Sequence, residues 1–160
     1  AREVAALVDH KARDQGIALA FEADPDLPRL WADPELLKTC LLNLLINAGD
    51  AMPEGGLLTV KVGRDHEPGP PALVVTVSDT GRGMTPEETR SAFEPYYSTK
   101  EAGLGLGLAL THQIVTDHGG SIGLSSQPGQ GTTARLVLPV LGGGGVEEER
   151  AALVGAEGPR

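Results

Sequence analysis

The sequence DPELLKTCLLNLLINAGDAM, residues 33–52, is a helix-length apolar run around which the rest of the chain is organised. Asp33 is a good N-cap, Pro34 suits the first helical turn, and Glu35 suits the positive end of the helix dipole. These residues predict a long helix that begins at Asp33.

Three polar residues interrupt this run with helical spacing. Asn43, Asn47 and Asp50 stand at i, i+4 and i+7, so they share one stripe of the helix. Leu36 and Ile46 lie close beside the asparagines, which predicts that the stripe is buried. A buried amide without a partner costs about 1–3 kcal/mol. The asparagines are therefore either satisfied by neighbouring backbone or part of a polar network around a ligand cavity, and the helix alone leaves both alternatives open.

The composition indicates one compact domain. With 160 residues, of which 40% are hydrophobic, the chain is large enough for a single core. It has no stretch that approaches a membrane-spanning helix and no signal-like N-terminus. We therefore expect a cytoplasmic segment that makes no contact with a membrane itself, whether or not a longer parent protein is membrane-tethered.

Charge and cysteine content exclude several kinds of site. The net charge is −9 and the 13 basic residues are scattered, which argues against nucleic acid as a partner. An acidic protein that binds an anion must do so locally, through a metal, a helix end or loop amides. The single cysteine, Cys40, excludes an internal disulfide and a cysteine zinc site, and we expect it to be a buried thiol.

Hydrophobic periodicity predicts the other elements. The first half of the chain is predicted to contain a helix over residues 2–14, a strand with Ile17, Leu19 and Phe21, and the strands LLTVKVG and ALVVTVSD as an antiparallel pair. The second half is predicted to contain a short helix in PEETRSAF, a helix opened by the glycine run from Gly103, and a hairpin of SIGLSS and TTARLVLP. This order predicts an α/β (α+β) two-layer sandwich, with about three helices on one face of a mixed, mainly antiparallel sheet of about five strands. In the proline-rich crossover before the long helix, Trp31 is expected to be a packing anchor.

Two segments lack regular patterning. Residues 79–102 are irregular, and so long an irregular segment inside a compact domain is usually functional, often a lid. Residues 141–160 are a glycine linker followed by an acidic tail, for which we expect disorder. The folded domain is therefore predicted to span residues 1–140.

A second polar site is predicted where ALVVTVSD ends. Asp79 closes this strand, and Gly81 and Gly83 follow it. The carboxylate can then face a cavity while a planar ligand lies against bare backbone. Such a DxGxG pattern is weak evidence by itself, because it is more often a turn.

The glycine run is a stronger signal. Gly103, Gly105 and Gly107 lead directly into a helix and present amide donors at its positive end, which suits phosphate. The run is neither a P-loop nor a dinucleotide fingerprint. Asn47 offers a neutral oxygen to a magnesium ion held mainly by phosphates, and Lys100 offers a mobile positive charge. Together with Asp79, these residues predict a nucleotide site.

Four motifs in order resemble the ATP-binding catalytic domain of bacterial sensor histidine kinases, in the superfamily shared with gyrase, heat-shock chaperone ATPases and mismatch-repair ATPases. LLNLLINAGDAM resembles the asparagine box, SDTGRGM the first glycine box, FEPYYSTK the phenylalanine box, and GLGLGLALTHQIVTDHGGSI the second glycine box. The resemblance covers residues 1–140 and implies a Bergerat-type fold with a mobile ATP lid, and ATP and Mg²⁺ as cofactors.

The resemblance also implies roles for individual residues. Asn47 is the implied magnesium ligand, Asn43 supports the metal or phosphates, and these two with Lys100 form the implied catalytic set. The implied nucleotide contacts are Asn47, Asp50, Asp79, Gly81, Gly83, Lys100, Gly103, Leu104, Gly105, Leu106, Gly107 and Thr132. Phe93 is expected to anchor the lid by packing, whereas Tyr96 and Tyr97 are divided between packing and ligand contact.

Position 43 separates two activities within this superfamily. ATP-hydrolysing relatives typically carry a water-activating glutamate there, but this chain has Asn43, which cannot act as a base. The substitution favours a kinase over an ATPase. Leu104 is a departure, because the family often has threonine or serine at this lid position.

The phospho-acceptor histidine of the family is missing. His10, His66, His112 and His118 do not stand in the H-box context, so surface or helix-capping roles are expected for them. The chain is therefore predicted to be the catalytic part of a larger kinase, which donates the γ-phosphate of ATP to a histidine on a dimerisation domain and acts upstream of a response regulator. The alternatives are an autonomous ATPase and a nucleotide-binding or partner-docking module without catalysis.

Overall fold

The computed structural model of the chain describes residues 4, 6, 12–65, 70–98 and 103–140. The helices and strands follow in the order β1 (Ile17–Ala23), α1 (Pro34–Asp50), β2 (Gly56–Arg64), β3 (Ala72–Asp79), α2 (Pro86–Ser91), α3 (Gly107–Asp117), β4 (Ser121–Gln127) and β5 (Gly131–Pro139). Of the helix predicted over residues 2–14, residues 4, 6 and 12–14 are helical, and the others lie outside the described residues. The predicted linker and tail, residues 141–160, also lie outside them.

The five strands form one mixed sheet in the order β1-β2-β3-β5-β4. Strands β1 and β2 are parallel, with Ile17 opposite Gly56, because α1 crosses over between them. The other three pairings are antiparallel, including the predicted β2–β3 pair and the β4–β5 hairpin. The predicted mixed, mainly antiparallel sheet is thus confirmed.

Helix α1 begins where its sequence predicts. The Asp33 carboxylate accepts hydrogen bonds from the backbone N–H groups of Glu35 at 2.8 Å and Leu36 at 3.2 Å. The apolar side of the helix is buried, including Cys40 and the residues Leu41, Leu44, Leu45 and Ala48. This capped, one-sided helix sets the position of the polar stripe on its other side.

The core lies between the helices and one face of the sheet. Val60 of β2, Leu136 of β5 and Val115 of α3 are buried in it. The opposite face is polar and carries an exposed ion pair between Lys61 and Glu22, with 2.9 Å between Nζ and Oε2. In the described part of the chain, the helices therefore lie on one face of the sheet, as predicted.

The prediction that the polar stripe of α1 is buried is wrong. Asp50 is exposed, and Leu36 and Ile46 retain 42% and 40% of their accessible surface. Asn43 and Asn47 are half-buried. The stripe is partly open because Asn43, Ile46, Asn47 and Asp50 line a cavity instead of packing into the core.

Trp31 is not the predicted packing anchor. Its side chain is 82% exposed, on the crossover that precedes α1. Proline and charged residues surround it in the sequence, so composition alone could not show which side of the crossover faces solvent.

The last helix differs from its prediction at one end. It begins at Gly107, so residues 103–106 form a loop instead of its first turn. At the other end His118 is the C-cap, and its Nδ1 lies 2.7 Å from the Ile114 carbonyl oxygen. The Nε2 atom of the same ring accepts a hydrogen bond from the backbone N–H of Asp33 at 3.1 Å, which joins the end of α3 to the start of α1.

None of the helices in the described part of the chain is long and apolar enough to cross a membrane.

Candidate functional site

A cavity of about 570 Å³ lies between α1, the end of β3, the hairpin β4–β5 and the start of α3. It brings together most of the predicted site residues: Asn43, Asn47, Asp50, Asp79, Gly83, Gly103, Leu104, Gly105, Leu106, Gly107 and Thr132. Two predicted residues are not among them. Gly81 does not line the cavity, and Lys100 lies outside the described residues.

We call Asp79, Gly81, Gly83 and Thr132 the strand end of the cavity. The antiparallel register of β3 and β5 places Asp79 opposite Thr132. One carboxylate oxygen, Oδ1, accepts hydrogen bonds from the backbone N–H groups of Gly81 at 2.8 Å and Thr132 at 3.2 Å. These bonds fix the plane of the carboxylate, and among the described residues no donor reaches its other oxygen.

The pKa of Asp79 is raised above its ordinary value. Burial is the larger influence, because it penalises the charged carboxylate. The hydrogen bonds from Gly81 and Thr132 act in the opposite direction. A carboxyl group with a raised pKa that lines a cavity is a typical feature of a functional site.

A chain of hydroxyl groups fixes the side chain of Thr132. Ser126 Oγ lies 2.9 Å from the Gly131 carbonyl oxygen, which can only accept, so Ser126 donates there. Ser126 Oγ then accepts from the backbone N–H of Met84 at 2.8 Å and from the Thr132 hydroxyl, also at 2.8 Å. The Thr132 proton is thereby used, and its oxygen is left as an acceptor. The strand end thus offers two acceptors, one from Asp79 and one from Thr132.

The glycines of the strand end make room for backbone. A Cβ on Gly83 would lie 1.9 Å from the Gln127 carbonyl oxygen, and the φ of Gly83 is +66°. A Cβ on Gly81 would lie 2.4 Å from the Ala51 carbonyl oxygen. The glycines therefore allow the backbone of the strand end to pack directly against the end of α1 and the β4–β5 turn, a role that the sequence did not reveal.

We call Asn43, Asn47 and residues 103–107 the helix end of the cavity. The Asn43 side-chain Nδ2 lies 3.3 Å from the Gly107 carbonyl oxygen and 3.4 Å from Thr111 Oγ. The amide nitrogen of Asn43 is thus satisfied by the protein, and Asn43 also lines the cavity, so the two alternatives left open by the sequence both apply to it. Asn47, one turn further along α1, lines the cavity as well.

The start of α3 provides amide donors at the helix end. Leu106 occupies the N-cap position and makes no side-chain capping bond, so no N-cap side chain satisfies the first amides of α3. A hydrogen bond from the backbone N–H of Tyr96 to the Gly105 carbonyl oxygen, at 3.0 Å, holds the loop before α3 against the segment that contains Tyr96. An uncapped helix start beside a cavity suits an anion.

The aromatic residues of the phenylalanine box separate into different roles. Phe93 packs against His112, with 5.3 Å between ring centroids, and does not line the cavity. This contact agrees with the predicted packing role of Phe93. Tyr97 lines the cavity, whereas Tyr96 is 78% exposed and has a positive φ of 66°.

Several lining residues were not predicted. Val77, Leu124 and Ala134 form an apolar wall, and they could have been found from the inward alternation of the strands. Arg82 and Glu88 also line the cavity and form an ion pair at 3.3 Å. The pair depends on the capping box of α2, which the sequence TPEE signals.

The donor set of the helix end fits one kind of metal site. In the described part of the chain, no group of three or more His, Cys, Asp or Glu side chains could hold a metal by itself. The amide oxygens of Asn43 and Asn47, with Asp50 nearby on the same helix, are hard ligands, but they are too few to hold a metal ion by themselves. Such a set suits Mg²⁺ that is held mainly by a bound phosphate compound, and does not suit a metal cage built by the protein alone.

Similarity to known proteins agrees with this geometry. The family described as histidine kinase-, DNA gyrase B- and HSP90-like ATPase matches residues 32–142. Sensor histidine kinase ZraS of Klebsiella oxytoca is 46% identical over 136 residues, which are 85% of this chain and 29% of that protein. Sporulation kinase E of Bacillus subtilis is 33% identical over 142 residues, 87% of this chain and 18% of that protein. The chain therefore spans less than a third of the length of these relatives.

Solved structures show the same fold. The nucleotide-free catalytic domain of histidine kinase ThkA has a TM-score of 0.76 and 31% identity, over 87% of this chain and 89% of that one. Full-length ShkA in complex with AMPPNP has a TM-score of 0.74 and 32% identity, over 86% of this chain and 28% of that one. The chain has the Bergerat fold and belongs to the histidine kinase-, DNA gyrase B- and HSP90-like ATPase family, as the ATP-binding catalytic domain of a histidine kinase.

Proposed function

We propose that this chain binds Mg-ATP and donates the γ-phosphate to a histidine on a separate dimerisation domain, as the catalytic part of a two-component sensor kinase. One observation carries the proposal: a single cavity joins a strand end that presents acceptors to a helix end that presents amide donors. An exocyclic amine and a polyphosphate need these two environments, and ATP has both groups.

At the strand end, the proposed contact is with the adenine amine. The free carboxylate oxygen of Asp79 and the Thr132 hydroxyl oxygen are both acceptors, so they suit a ligand edge that donates. The apolar wall of Val77, Leu124 and Ala134 suits the faces of a planar base. A base that carries a carbonyl oxygen at this position would place an acceptor against the acceptor oxygens of Asp79 and Thr132, so no hydrogen bond would form there.

At the helix end, the proposed contacts are with Mg²⁺ and the phosphates. Asn47 and Asn43 would supply neutral oxygen ligands or hold the metal-bound waters, and the ion would neutralise charge that develops on the transferred group. The backbone amides at the start of α3 would bind phosphate oxygens. Lys100, which lies outside the described residues, stays a prediction for a further phosphate contact.

Two carboxylates of the cavity, those of Asp79 and Glu88, already accept hydrogen bonds from the protein. Asp79 Oδ1 accepts from two backbone N–H groups at the strand end, and its other oxygen is assigned to the adenine amine. The Glu88 carboxylate accepts from the backbone N–H of Thr85 at 2.7 Å and from Arg82 at 3.3 Å. Position 43 has an amide, which is not a base. These observations favour transfer to a supplied nucleophile over hydrolysis, and catalysis then depends on positioning and charge neutralisation.

The acceptor domain would dock beside the mouth of the cavity. Leu104 and Leu106 line the cavity and are exposed, and Tyr96 and Leu110, which flank them in the sequence, are exposed as well. Exposed apolar side chains beside a binding site are a feature of protein interaction sites. We infer that the histidine-bearing domain binds there, and that a response regulator receives the phosphoryl group in a later step. Because ATP is supplied inside the cell, the proposed reaction places this segment in the cytoplasm.

The first test is isothermal titration of the 160-residue chain with ATP, with and without Mg²⁺. We expect Mg²⁺ to tighten binding, and Asn47→Ala to remove most of that gain while the metal-free affinity is unchanged. Glu87→Gln, which changes an exposed ion pair on α2 that does not line the cavity, is the matched control. Absence of adenine-nucleotide binding would instead favour a partner-docking module.

The second test separates the kinase from the autonomous ATPase. The chain is incubated with γ-labelled ATP, alone and with a histidine-bearing dimerisation domain from a related sensor kinase. We expect slow hydrolysis by the chain alone and an acid-labile phosphohistidine on the added domain. Steady hydrolysis without acceptor, abolished by Asn47→Ala, would show that the ATPase alternative is correct.

A further inference from the structure

Thr111 is the one fully buried polar residue in the described part of the chain. It lies on α3, one turn after Gly107, and does not line the cavity. Its hydroxyl donates to the Gly107 carbonyl oxygen at 2.8 Å. Neither the sequence motifs nor the proposed ATP contacts give this residue a role.

The hydrogen bonds around Thr111 determine which way the Asn43 amide points. Two atoms of α3 lie within hydrogen-bonding distance of the Asn43 side-chain nitrogen: the Gly107 carbonyl oxygen at 3.3 Å and Thr111 Oγ at 3.4 Å. A carbonyl oxygen can only accept. The Thr111 proton is already donated to Gly107, so Thr111 Oγ also acts as an acceptor. Both neighbours therefore require the NH₂ group, and the flipped amide is excluded.

This arrangement leaves the carbonyl oxygen of the Asn43 side chain without a donor among the described residues. Because the two amide protons point at α3, Oδ1 is the polar atom that Asn43 can offer to the cavity. We propose that Thr111 is a positioning residue, which holds the Asn43 amide so that its oxygen faces the Mg-ATP site. This inference rests on the proposed function for its ligand, but the orientation itself does not depend on it.

Two features of Thr111 suit it to this role. Its buried β-branched side chain has restricted rotamers, so the hydroxyl is held in place by packing. Its donation to the carbonyl four residues earlier fixes the hydroxyl proton as well. Thr111 thus joins the helix that presents the phosphate-binding amides to the helix that presents the asparagines.

The test uses the 160-residue chain and three substitutions. Thr111→Val keeps the shape but removes the hydroxyl, Thr111→Ser keeps the hydroxyl, and Asn43→Ala removes the positioned amide. Thr116→Val is the matched control, because Thr116 makes the same kind of bond on α3, to the His112 carbonyl at 2.8 Å, but is exposed. The measured quantity is the ratio of ATP dissociation constants without and with Mg²⁺, which a general loss of stability does not change.

We expect Thr111→Val to lower this ratio about three- to tenfold, the range of one hydrogen bond. Thr111→Ser should keep most of the parent ratio, and Thr116→Val all of it. In the double variant with Asn43→Ala, Thr111→Val should add nothing further, because it acts through Asn43. An unchanged ratio in Thr111→Val, or a full additional loss in the double variant, would overturn the proposal.

A second measurement needs no nucleotide. In ¹⁵N-labelled ligand-free chain, the side-chain NH₂ protons of Asn43 should exchange with water at least several-fold faster in Thr111→Val than in the parent or Thr111→Ser. Unchanged exchange would overturn the positioning role even if ATP binds as proposed. Failure of the proposed function appears separately, as a parent chain that shows no Mg²⁺-dependent ATP binding.

Discussion

The strand end and the helix end of the cavity are built in different ways. At the strand end, backbone packs directly on backbone, and Gly83 has no space for even a methyl group beside the Gln127 carbonyl oxygen. At the helix end, side chains of α1 meet the start of α3, and a Cβ on Gly107 would lie 3.6 Å from the nearest Asn43 atom, an ordinary contact. The strand end is therefore fixed by close packing, whereas the helix end depends on a few side-chain hydrogen bonds.

This difference suggests how each end would contribute to the proposed binding of ATP. A rigid pair of acceptors can discriminate one base edge, because a mismatched edge cannot be accommodated by a shift of the backbone. In the proposed complex, Mg²⁺ would keep several waters in its coordination shell, and the environment of the phosphates has to change during transfer. Side chains and an open helix start are suited to that task.

The largest expected effect is on folding, from a methyl group placed at the strand end. Gly83→Ala adds a Cβ 1.9 Å from a backbone oxygen, at a φ of +66°. We expect a loss of about 2–5 kcal/mol in the free energy of unfolding, from left-handed strain together with overpacking. Urea denaturation followed by circular dichroism measures it.

Gly107→Ala is the control for this prediction. The added Cβ has ordinary contacts and the residue stands in the first turn of α3, so stability should stay within about 1 kcal/mol of the parent. Equal destabilisation by the two alanine substitutions would show that the strand end and the helix end do not differ in how closely they are packed.

The next effect is on nucleotide binding without a loss of fold. In Asp79→Asn, the amide oxygen can still accept from Gly81 and Thr132, but an NH₂ group then faces the cavity where an acceptor is required. ATP affinity should fall by about 1–3 kcal/mol, or roughly 5- to 150-fold, with the melting temperature unchanged or higher. Titration calorimetry and thermal melts measure the two quantities. Unchanged affinity would remove Asp79 from base recognition.

A smaller effect concerns pH, and it has opposite signs for binding and stability. Because burial raises the pKa of Asp79, the native chain takes up a proton at a pH where the unfolded chain is still ionised. As the pH falls through this raised pKa, the contribution of Asp79 to stability becomes more favourable. ATP binding weakens over the same range, since the protonated carboxyl is a poorer acceptor.

Melting curves and titrations between neutral pH and the ordinary carboxylate range measure both slopes. Asp79→Asn supplies the background of all other titrating groups, including those of ATP. If the variant and the parent show the same slopes, Asp79 does not control either property.

The smallest effect is expected outside both ends, in the capping box of α2. Thr85→Ala removes the bond from the Glu88 backbone N–H to Thr85 Oγ at 3.2 Å and should cost about 1 kcal/mol. The hydrogen bond from the Thr85 backbone N–H is the main reason that the pKa of Glu88 is lowered. The stability supplied by Glu88 is therefore lost as the pH falls through this lowered pKa, the opposite direction to Asp79.

Chemical denaturation at several pH values measures this contribution. Glu87→Gln is the control, because its ion pair with Arg90 is exposed and should contribute little. An ATP affinity that falls with Thr85→Ala as much as with Asp79→Asn would show that α2 belongs to the binding machinery.

Much of the fold could be predicted because its signals are local. The start of α1 follows from Asp33 and Pro34, and the strands follow from alternation of apolar residues. The predictions failed where long-range packing decides. Trp31 is exposed although tryptophan is highly buried on average, and Ile46 is partly exposed because it lines the cavity instead of packing into the core.

The sequence by itself indicated several of the residues that line the candidate site. Asn43, Asn47, Asp79 and the glycine run stand at element ends or on one helical stripe, and spacing along the chain is enough to show that. Only the tertiary structure decided what each one touches. The close approach of Gly83 to Gln127, the Thr132–Ser126 hydroxyl chain and the Thr111–Asn43 bond join residues that are 6 to 68 positions apart. Such contacts depend on the register of the strands and the packing of α1 against α3, which no local pattern encodes.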